Sequence, residues 1–311
     1  MAHVRRGLVA ISLIVAGLTF IGTGGGSSDT TTTVVTTTVA TTTTVSSTST
    51  TSSTIPTSTT IPPTTTTTLP RVLDPFHLPA LATYLRGRTN EVTAALYDVT
   101  TGQTFVYNGG VQEVTASMVK IDILAALLHQ YQVQHESLPA RDLPLATDMV
   151  EESDNDDAQA LYLQIGQLPG IEAFNDLLGY DQTTANWDWG FTQTTPYDEL
   201  KLLKAIVFPN RVLSTASRNY EQSLMQNVVS WERFGLPTGV PARATVGLKN
   251  GWYPERATGW QVNTSGYVHY RHCYYLAAVM TAHNPDEAYG LDTVDMVSQD
   301  LWNILSDDAR R

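Results

Sequence analysis

The sequence is poor in cysteine and in positive charge. Its 311 residues contain one cysteine, Cys273, so no disulfide can form within the chain, and no cysteine near the N-terminus offers a site for a lipid anchor. Cys273 lies in an apolar segment, and we expect it to be buried. Lysine and arginine number 18 against 30 acidic residues, for a formal net charge of −12. Because an acidic surface repels phosphate, we expect no nucleic-acid partner.

The chain also lacks an apolar run long enough for an ordinary membrane-spanning helix. Gly7 to Ile21 is apolar or small and follows Arg5 and Arg6, as in a secretory signal, but it is shorter than the ~20 residues that cross a bilayer. No clear cleavage site follows it. Residues 1–28 are therefore predicted to be a signal peptide or an uncleaved anchor that tethers the protein to a membrane. An exported protein, extracellular and held at the cell wall or membrane, is expected.

Composition divides the rest of the chain in two. Residues 29–70 are almost all threonine, serine, valine and proline. Such a segment cannot bury a core and is predicted to be a disordered linker. Residues 71–311 are sufficient for one large folded domain, which we expect to be monomeric.

The order of strand and helix patterns in this domain predicts an α+β fold. Strand patterns lie near both of its ends, while helical periodicity dominates the middle, beginning with a strong helix at 118–132. The sheet must then be antiparallel and assembled from N- and C-terminal segments, flanked by helices, with an all-helical subdomain in the middle. The predicted strands are residues 92–98, 103–107, 245–248, 260–268 and 274–281. A first helix is predicted at 74–85 and a closing helix at 293–305.

Three short segments carry the groups that serine acyl transfer requires. Ser117-Met118-Val119-Lys120 offers a hydroxyl with an amine one helical turn away. Ser153-Asp154-Asn155 offers a hydroxyl beside an amide, and Lys249-Asn250-Gly251 offers a second lysine. A serine needs a base to take its proton, and a lysine becomes one when burial and nearby cations lower its pKa. Each segment alone also fits a helix N-cap, a surface lysine or a turn, but the set in this order favours a catalytic site.

No metal or cofactor is predicted. His269 and His272 are three residues apart on a predicted strand, which places them on opposite faces of the sheet. That spacing does not make a metal site, and no cofactor-binding motif is present in the sequence.

The three segments resemble the motifs of the penicillin-recognising serine enzymes, which are the class A β-lactamases and the penicillin-binding proteins. The resemblance extends over roughly residues 80–305 and implies a β-lactamase-like fold. It implies that Ser117 is acylated, that Lys120 shares the proton transfers, and that Ser153 passes a proton to the leaving nitrogen. The residues that the resemblance assigns to substrate binding are Asn155, Lys249, Asn250, Gly251 and Trp252, the last through its backbone N–H in an oxyanion hole.

The sequence departs from this family at three places. Asn250 stands where the third motif carries a hydroxyl residue, and the short interval between Ser117 and Ser153 implies a trimmed helical subdomain. The segment from Asn186 to Gly190 lacks the glutamate that activates the deacylating water in class A enzymes. Asp188 is the carboxylate nearest that position, but its side chain is one methylene shorter, and a displacement of 1 Å can cost ~100-fold in rate. Asp188 is therefore either a weak deacylating base or a turn or N-cap residue.

Three functions fit these observations. The first is an exported class A-like serine hydrolase that forms an acyl-serine with a β-lactam. The second is a D,D-peptidase-like penicillin-binding protein that acts on the D-alanyl amide of a peptidoglycan stem peptide and deacylates slowly, as the missing glutamate suggests. The third is a cell-wall binding module that kept the fold and lost the chemistry, which Asn250 and the trimmed helical region suggest.

Overall fold

The structure, a computed structural model, describes residues 73–255 and 257–308. The predicted signal or anchor at 1–28 and the predicted linker at 29–70 lie outside these residues. In the part of the chain that is described, no helix combines the length and the apolar character needed to cross a bilayer.

A five-stranded antiparallel sheet lies at the centre of the fold. Its strands lie side by side in the order Gln103–Tyr107 (β2), Glu91–Asp98 (β1), Cys273–Asn284 (β7), Gly259–Tyr270 (β6) and Thr245–Glu255 (β5). The N-terminal strand β1 pairs directly with the C-terminal strand β7, with Ala95 opposite Ala278. This pairing confirms the predicted sheet of distant segments. Two further short strands, β3 Glu113–Val114 and β4 Gln193–Thr194, pair with each other outside the sheet.

Helices cover both faces of the sheet and fill the middle of the chain. The helices are α1 Pro79–Gly87, α2 Val119–Val133, α3 Asp142–Glu151, α4 Asn155–Gln164, α5 Gln167–Leu178, α6 Pro196–Val207, α7 Thr215–Gln226 and α8 Glu287–Asp308. One apolar cluster joins α2 to α7 with one face of the sheet. A second joins α1 and α8 with the other face. The sheet is therefore buried on both sides.

Helix α2 lies at the centre of the helical region. Every residue from Val119 to Leu128 is buried, including Lys120 and Asp122. A helix that is surrounded on all sides must be apolar nearly all round. The two charged residues in its first turn are therefore exceptions, and burying them costs free energy unless they are paired or neutral.

Two helix boundaries differ from the sequence-based expectation. A first helix was expected to start at Asp74, but a 3₁₀ turn at Pro75–His77 comes first and α1 begins at Pro79, because Leu78 is extended as residues before proline usually are. The closing helix begins at Glu287 rather than Thr293. The Asp286 carboxylate accepts a hydrogen bond from the Tyr289 N–H at 2.8 Å, which caps the helix six residues earlier than its apolar pattern suggests.

The β3–β4 ribbon joins the first motif to the loop that contains Asp188. Glu113 pairs with Thr194, and the Thr115 N–H donates to the Thr192 carbonyl at 2.8 Å. Because Thr115 comes two residues before Ser117, this ribbon fixes the Asp188 loop beside the candidate nucleophile.

Candidate active site

Ser117 lies in a 3₁₀ turn, Ala116–Met118, that leads directly into α2. Its side chain is half-buried and lines a cleft of about 250 Å³. Among the described residues its hydroxyl makes no hydrogen bond, so the oxygen is free to meet a substrate. Ala116 has a φ of 48°, in the left-handed region that costs a non-glycine residue roughly 1–2 kcal/mol. Such strain often occurs next to functional groups, and no sequence pattern predicts it.

Gly251 allows strand β5 to approach the backbone at Ser117. A Cβ atom on Gly251 would lie 2.4 Å from the Thr115 carbonyl oxygen and 2.9 Å from the Ser117 nitrogen. Both distances are too short for real atoms. The glycine of the third motif is thus required by packing, and β5 lies at the edge of the sheet directly against the turn that carries Ser117.

Lys120 is fully buried, and its amine faces the second motif. Its Nζ atom donates to the Ser153 carbonyl oxygen and to the Asn155 Oδ1 at 2.7 Å, and it lies 3.2 Å from the Ser153 Oγ. Burial, and then the positive charge of Lys249, lower the pKa of Lys120 to about 7. At physiological pH, a large fraction of the protein molecules therefore have a neutral amine at Lys120, which can accept a proton.

Lys249 approaches the same serine from strand β5. Its Nζ lies 2.9 Å from the Ser153 Oγ and 2.8 Å from the Glu232 Oε2. Burial lowers the pKa of Lys249, while the Glu232 carboxylate acts in the opposite direction. Sequence reasoning missed Glu232, because nothing in its local sequence distinguishes it from other acidic residues in turns.

Ser153 occupies the corner between α3 and α4, where its φ is 60°. The next residue, Asp154, caps α4 by accepting a hydrogen bond from the Asp157 N–H at 2.9 Å. The left-handed backbone at Ser153 and the cap that follows it turn the chain sharply, so that its hydroxyl lies between the two lysines. The predicted helix–helix corner is therefore present, and it carries the hydroxyl that links both amines.

Asn250 lies away from the cleft. It is fully buried, and its amide nitrogen donates to the backbone carbonyls of Glu232 at 2.7 Å and Phe234 at 3.0 Å. Both amide hydrogens are thus used, which differs from the substrate-binding role that the resemblance assigns to Asn250. The physical reason is that the longer amide side chain reaches the neighbouring turn, which a hydroxyl in its place could not do.

Aromatic residues form much of the cleft. Trp252 is half-buried and packs edge-on against Phe234, with ring centroids 5.8 Å apart, and against the exposed Trp231 at 6.4 Å. Tyr253 packs edge-on against Phe191 at 5.0 Å. The residues that line the cleft are Ala116, Ser117, Asn155, Asp188, Trp189, Gly190, Phe191, Trp252 and Tyr253. The predicted oxyanion role of the Trp252 N–H stays a prediction, and the position of this residue on an edge strand is compatible with it.

Asp188 is exposed at the cleft and stands at the N-cap of a short 3₁₀ turn, Trp189–Phe191, although its side chain makes no capping hydrogen bond. The neighbouring Trp189 has its ring centroid 5.1 Å from the Lys120 Nζ. Within the described residues, Lys120 forms no ion pair with any carboxylate. The loop therefore places an indole ring, and not an acid, against the candidate base.

The predicted residues therefore form two connected groups. Ser117, Asn155, Asp188 and Trp252 line the cleft, while Lys120, Ser153, Asn155 and Lys249 form one hydrogen-bonded chain behind it. Gly251 packs against the backbone at Ser117, and Asn250 forms hydrogen bonds with the turn that contains Glu232. In the described part of the chain no group of three or more histidine, cysteine, aspartate or glutamate side chains could hold a metal ion.

A serine in a cleft, a strained turn beneath it and a lysine–serine–lysine chain behind it define a serine hydrolase of the β-lactamase-like fold. The sequence matches the profile of the β-lactamase enzyme family over residues 130–305, more than half of the chain, and the protein belongs to that family. The matched region contains the second and third motifs but begins after Ser117 and Lys120. Among curated proteins, none matches the sequence.

Solved structures share the fold at low sequence identity. A class A β-lactamase from Bacteroides cellulosilyticus DSM 14838 has a TM-score of 0.65 and 19% identity, over 73% of this chain and 95% of that one. The TLA-3 extended-spectrum β-lactamase has a TM-score of 0.65 and 16% identity, over 72% and 96%. A protein described as PBP-A has a TM-score of 0.63 and 20% identity, over 72% and 94%. These likenesses establish the fold.

Proposed function

We propose that this protein is an exported serine hydrolase that forms an acyl-serine on Ser117 with a β-lactam or with the D-alanyl amide of a peptidoglycan stem peptide, and that it releases the acyl group slowly. The observation that carries this proposal is the hydrogen-bonded chain of Lys120, Ser153 and Lys249 behind a cleft that exposes the Ser117 hydroxyl. The region before residue 71, with its apolar start and linker composition, supports export and tethering outside the membrane.

The first chemical step is the loss of the Ser117 proton. Neutral Lys120, whose pKa is about 7, accepts that proton as the serine oxygen forms a bond to the substrate carbonyl carbon. The carbonyl oxygen then becomes negative. Backbone N–H groups at Ser117, and at Trp252 on the adjoining edge strand, are the candidates to stabilise it.

The second step is departure of the leaving nitrogen as its bond to the carbonyl carbon breaks. Ser153 gives its hydroxyl proton to that nitrogen and regains one from the ammonium of Lys120, which lies 3.2 Å away. Both protons are then accounted for: the one that left Ser117 has returned to Ser153, and Lys120 is neutral again. The product of this half-reaction is the acyl-serine. A stem peptide releases its amine at this point, whereas the amine of a β-lactam stays attached to the acyl group through the opened ring.

Slow release of the acyl group is supported by the loop around Asp188. Deacylation requires a base that activates a water molecule at the ester carbonyl, and such a base must lie within hydrogen-bond reach of that water. Trp189 packs against Lys120, and the Asp188 carboxylate in the same loop is exposed at the cleft, where no described residue hydrogen-bonds to it.

The proposal is tested by incubating the purified full-length protein with benzylpenicillin and following its intact mass over time. We expect an adduct of one penicilloyl group that persists for many minutes and is absent from Ser117→Ala, the matched control. A protein that forms no adduct with benzylpenicillin and does not cleave D-alanyl-D-alanine stem peptides would contradict the proposal and favour a binding module.

A second candidate, a β-lactamase with rapid turnover, is favoured by one observation only, which is that Asp188 lines the cleft together with Ser117. Under that function the adduct would clear while free penicilloate accumulates. Nitrocefin hydrolysis that disappears in Ser117→Ala would support this candidate, and turnover no faster than that of the variant would eliminate it.

A further inference from the structure

Glu232 lies outside the three motifs but makes direct contact with two members of the third. It ends a 3₁₀ turn, Ser230–Glu232, and is 1% exposed. Its Oε2 lies 2.8 Å from the Nζ of Lys249, which is 0% exposed, and its backbone carbonyl accepts the Asn250 amide at 2.7 Å. Its Oε1 makes no hydrogen bond within the described residues. Glu232 is thus a wholly buried carboxylate, and in the described part of the chain its one ionic partner is a lysine of the site.

The hydrogen bonds of the Ser153 hydroxyl restrict the protonation states of the two lysines. Its oxygen lies 3.2 Å from the Lys120 Nζ and 2.9 Å from the Lys249 Nζ. A hydroxyl has one proton, and an ammonium group can only donate. If both amines were charged, the Ser153 proton would have no acceptor between them, and two positive charges would face each other across one buried atom. The arrangement is satisfied when one amine is charged and the other is neutral.

We propose that Glu232 is a positioning residue that decides which lysine is charged: its carboxylate holds Lys249 as the ammonium, and Lys120 is left as the neutral amine that takes the Ser117 proton. This inference rests on the proposed function, because it describes how the acylating base is kept ready. The hydrogen bonds then run in one direction, from Lys249 to the Ser153 oxygen and from the Ser153 hydroxyl to Lys120.

The other charged groups around the pair do not remove this asymmetry. Asp154, beside Ser153, is exposed and raises the pKa of Lys120 less than Glu232 does. Arg233 follows Glu232 in sequence, but its guanidinium donates to the carbonyls of Gln226 and Val246. Of the two lysines, Lys249 alone is paired with a buried carboxylate among the described residues, so the proton is held at Lys249. The lowered pKa of Lys120, about 7, agrees with this distribution.

Removing the negative charge of Glu232 should move the positive charge from Lys249 to Lys120. In Glu232→Gln, Lys249 would be an ammonium buried without a counter-charge, which is strongly unfavourable. Lys120 has two other oxygen acceptors, the Ser153 carbonyl and the Asn155 Oδ1, so it becomes the better site for the charge. The base of the first step is then protonated over the neutral range, and acylation slows.

The test measures the rate of penicilloyl-adduct formation from pH 5 to 9 for the full-length protein and three variants. In Glu232→Gln we expect the midpoint of the pH profile to rise by about one unit and the rate at pH 7 to fall about fivefold, since a pKa that rises from about 7 to about 8 lowers the neutral fraction of Lys120 at pH 7 from about one half to about one tenth. Glu232→Asp keeps the charge and should restore the midpoint of the unmodified protein, even where its absolute rate is lower. Glu221→Gln is the matched control, because Glu221 is also fully buried but contacts neither lysine, and its midpoint should not move.

The outcomes separate this inference from the proposed function. If Glu232→Gln forms the adduct with the same midpoint as the unmodified protein, the inference is wrong while the acyl-serine mechanism stands. If the unmodified protein forms no adduct, the proposed function itself fails. Thermal unfolding of each variant identifies loss of fold. If Glu232→Gln does not fold, a midpoint in Glu232→Asp that rises by the one pH unit expected of Glu232→Gln would overturn the inference.

Discussion

At the scale of single residues, the protonation state of Lys120 sets the pH range in which the serine can be acylated. Because the pKa of Lys120 is lowered to about 7, the neutral amine becomes the major form above that pH. We expect the rate of penicilloyl-adduct formation to rise between pH 6 and 8 with its midpoint near 7. Lys120→Arg, which keeps the charge but cannot lose its proton, should reduce the rate at least about 100-fold. A profile that is flat across this range would contradict the role of Lys120.

A second residue-scale prediction concerns Asp188. Its carboxylate is exposed at the cleft, whereas the ring of Trp189 is the loop side chain against Lys120. If Asp188 contributes little to deacylation, Asp188→Asn should change the lifetime of the penicilloyl adduct by less than about twofold. Asp176→Asn, at an exposed position on α5, controls for the change in net charge. An adduct that becomes tenfold longer-lived in Asp188→Asn alone would instead identify Asp188 as the base.

At the scale of secondary-structure elements, the close contact between strand β5 and the Ser117 turn is possible because Gly251 has no Cβ atom. In Gly251→Ala the new Cβ would collide with the Thr115 carbonyl, so the strand and the turn must separate. We expect a loss of stability of about 1–3 kcal/mol, as for other overpacked positions, and a larger proportional loss of acylation rate, about 100-fold. Chemical denaturation and adduct formation measure the two effects. Gly87→Ala, which has open space at the end of α1, should reduce neither the stability nor the acylation rate.

Most of the elements, but not their contacts, were predictable from sequence. Strands β1 and β7 and helix α2 were found because apolar periodicity and β-branched residues reveal them. The motif residues Lys120, Ser153 and Lys249 were found because their order in the chain is distinctive. The contact of Glu232 with Lys249 was not predictable, because it depends on how a turn docks against an edge strand.

Asn250 illustrates the same limit in another way. The sequence shows that Asn250 departs from the third motif, but the direction of its side chain determines which groups the amide contacts. The amide reaches the carbonyls of Glu232 and Phe234 only because the 3₁₀ turn before Phe234 lies beside β5. Tertiary contacts of this kind override what local sequence can specify, and the strained φ of Ala116 belongs to the same class.

At the scale of the whole molecule, buried acids make stability depend on pH. Burial is the main cause that raises the pKa of Glu113 to about 8 and that of Glu199 to about 7, and it raises the pKa of Glu221 well above its usual range. Above pH 4.5 the unfolded chain ionises these groups while the folded protein keeps their protons. The unfolded state then binds fewer protons, so stability decreases as pH rises from 4.5 to 7, by up to about 1.4 kcal/mol per pH unit for each such group.

We therefore expect a higher free energy of unfolding at pH 5 than at pH 7, measured by denaturant titration at the two values. Glu113→Gln removes one of the raised carboxyls and should reduce the difference between the two pH values. Glu172→Gln, on the exposed face of α5, should leave it unchanged. A protein that becomes more stable between pH 5 and pH 7 would contradict the neutral state assigned to these buried acids.

The solitary thiol has a practical consequence for labelling. Cys273 is buried, and its pKa is raised to about 12, so about one thiol in 100,000 is ionised at pH 7. Maleimides and other thiolate-directed reagents will therefore barely react with the unmodified chain. A cysteine introduced at Trp231, which is 65% exposed beside the cleft, would be labelled almost alone. A fluorophore attached there could report on occupancy of the cleft without any prior removal of the native cysteine.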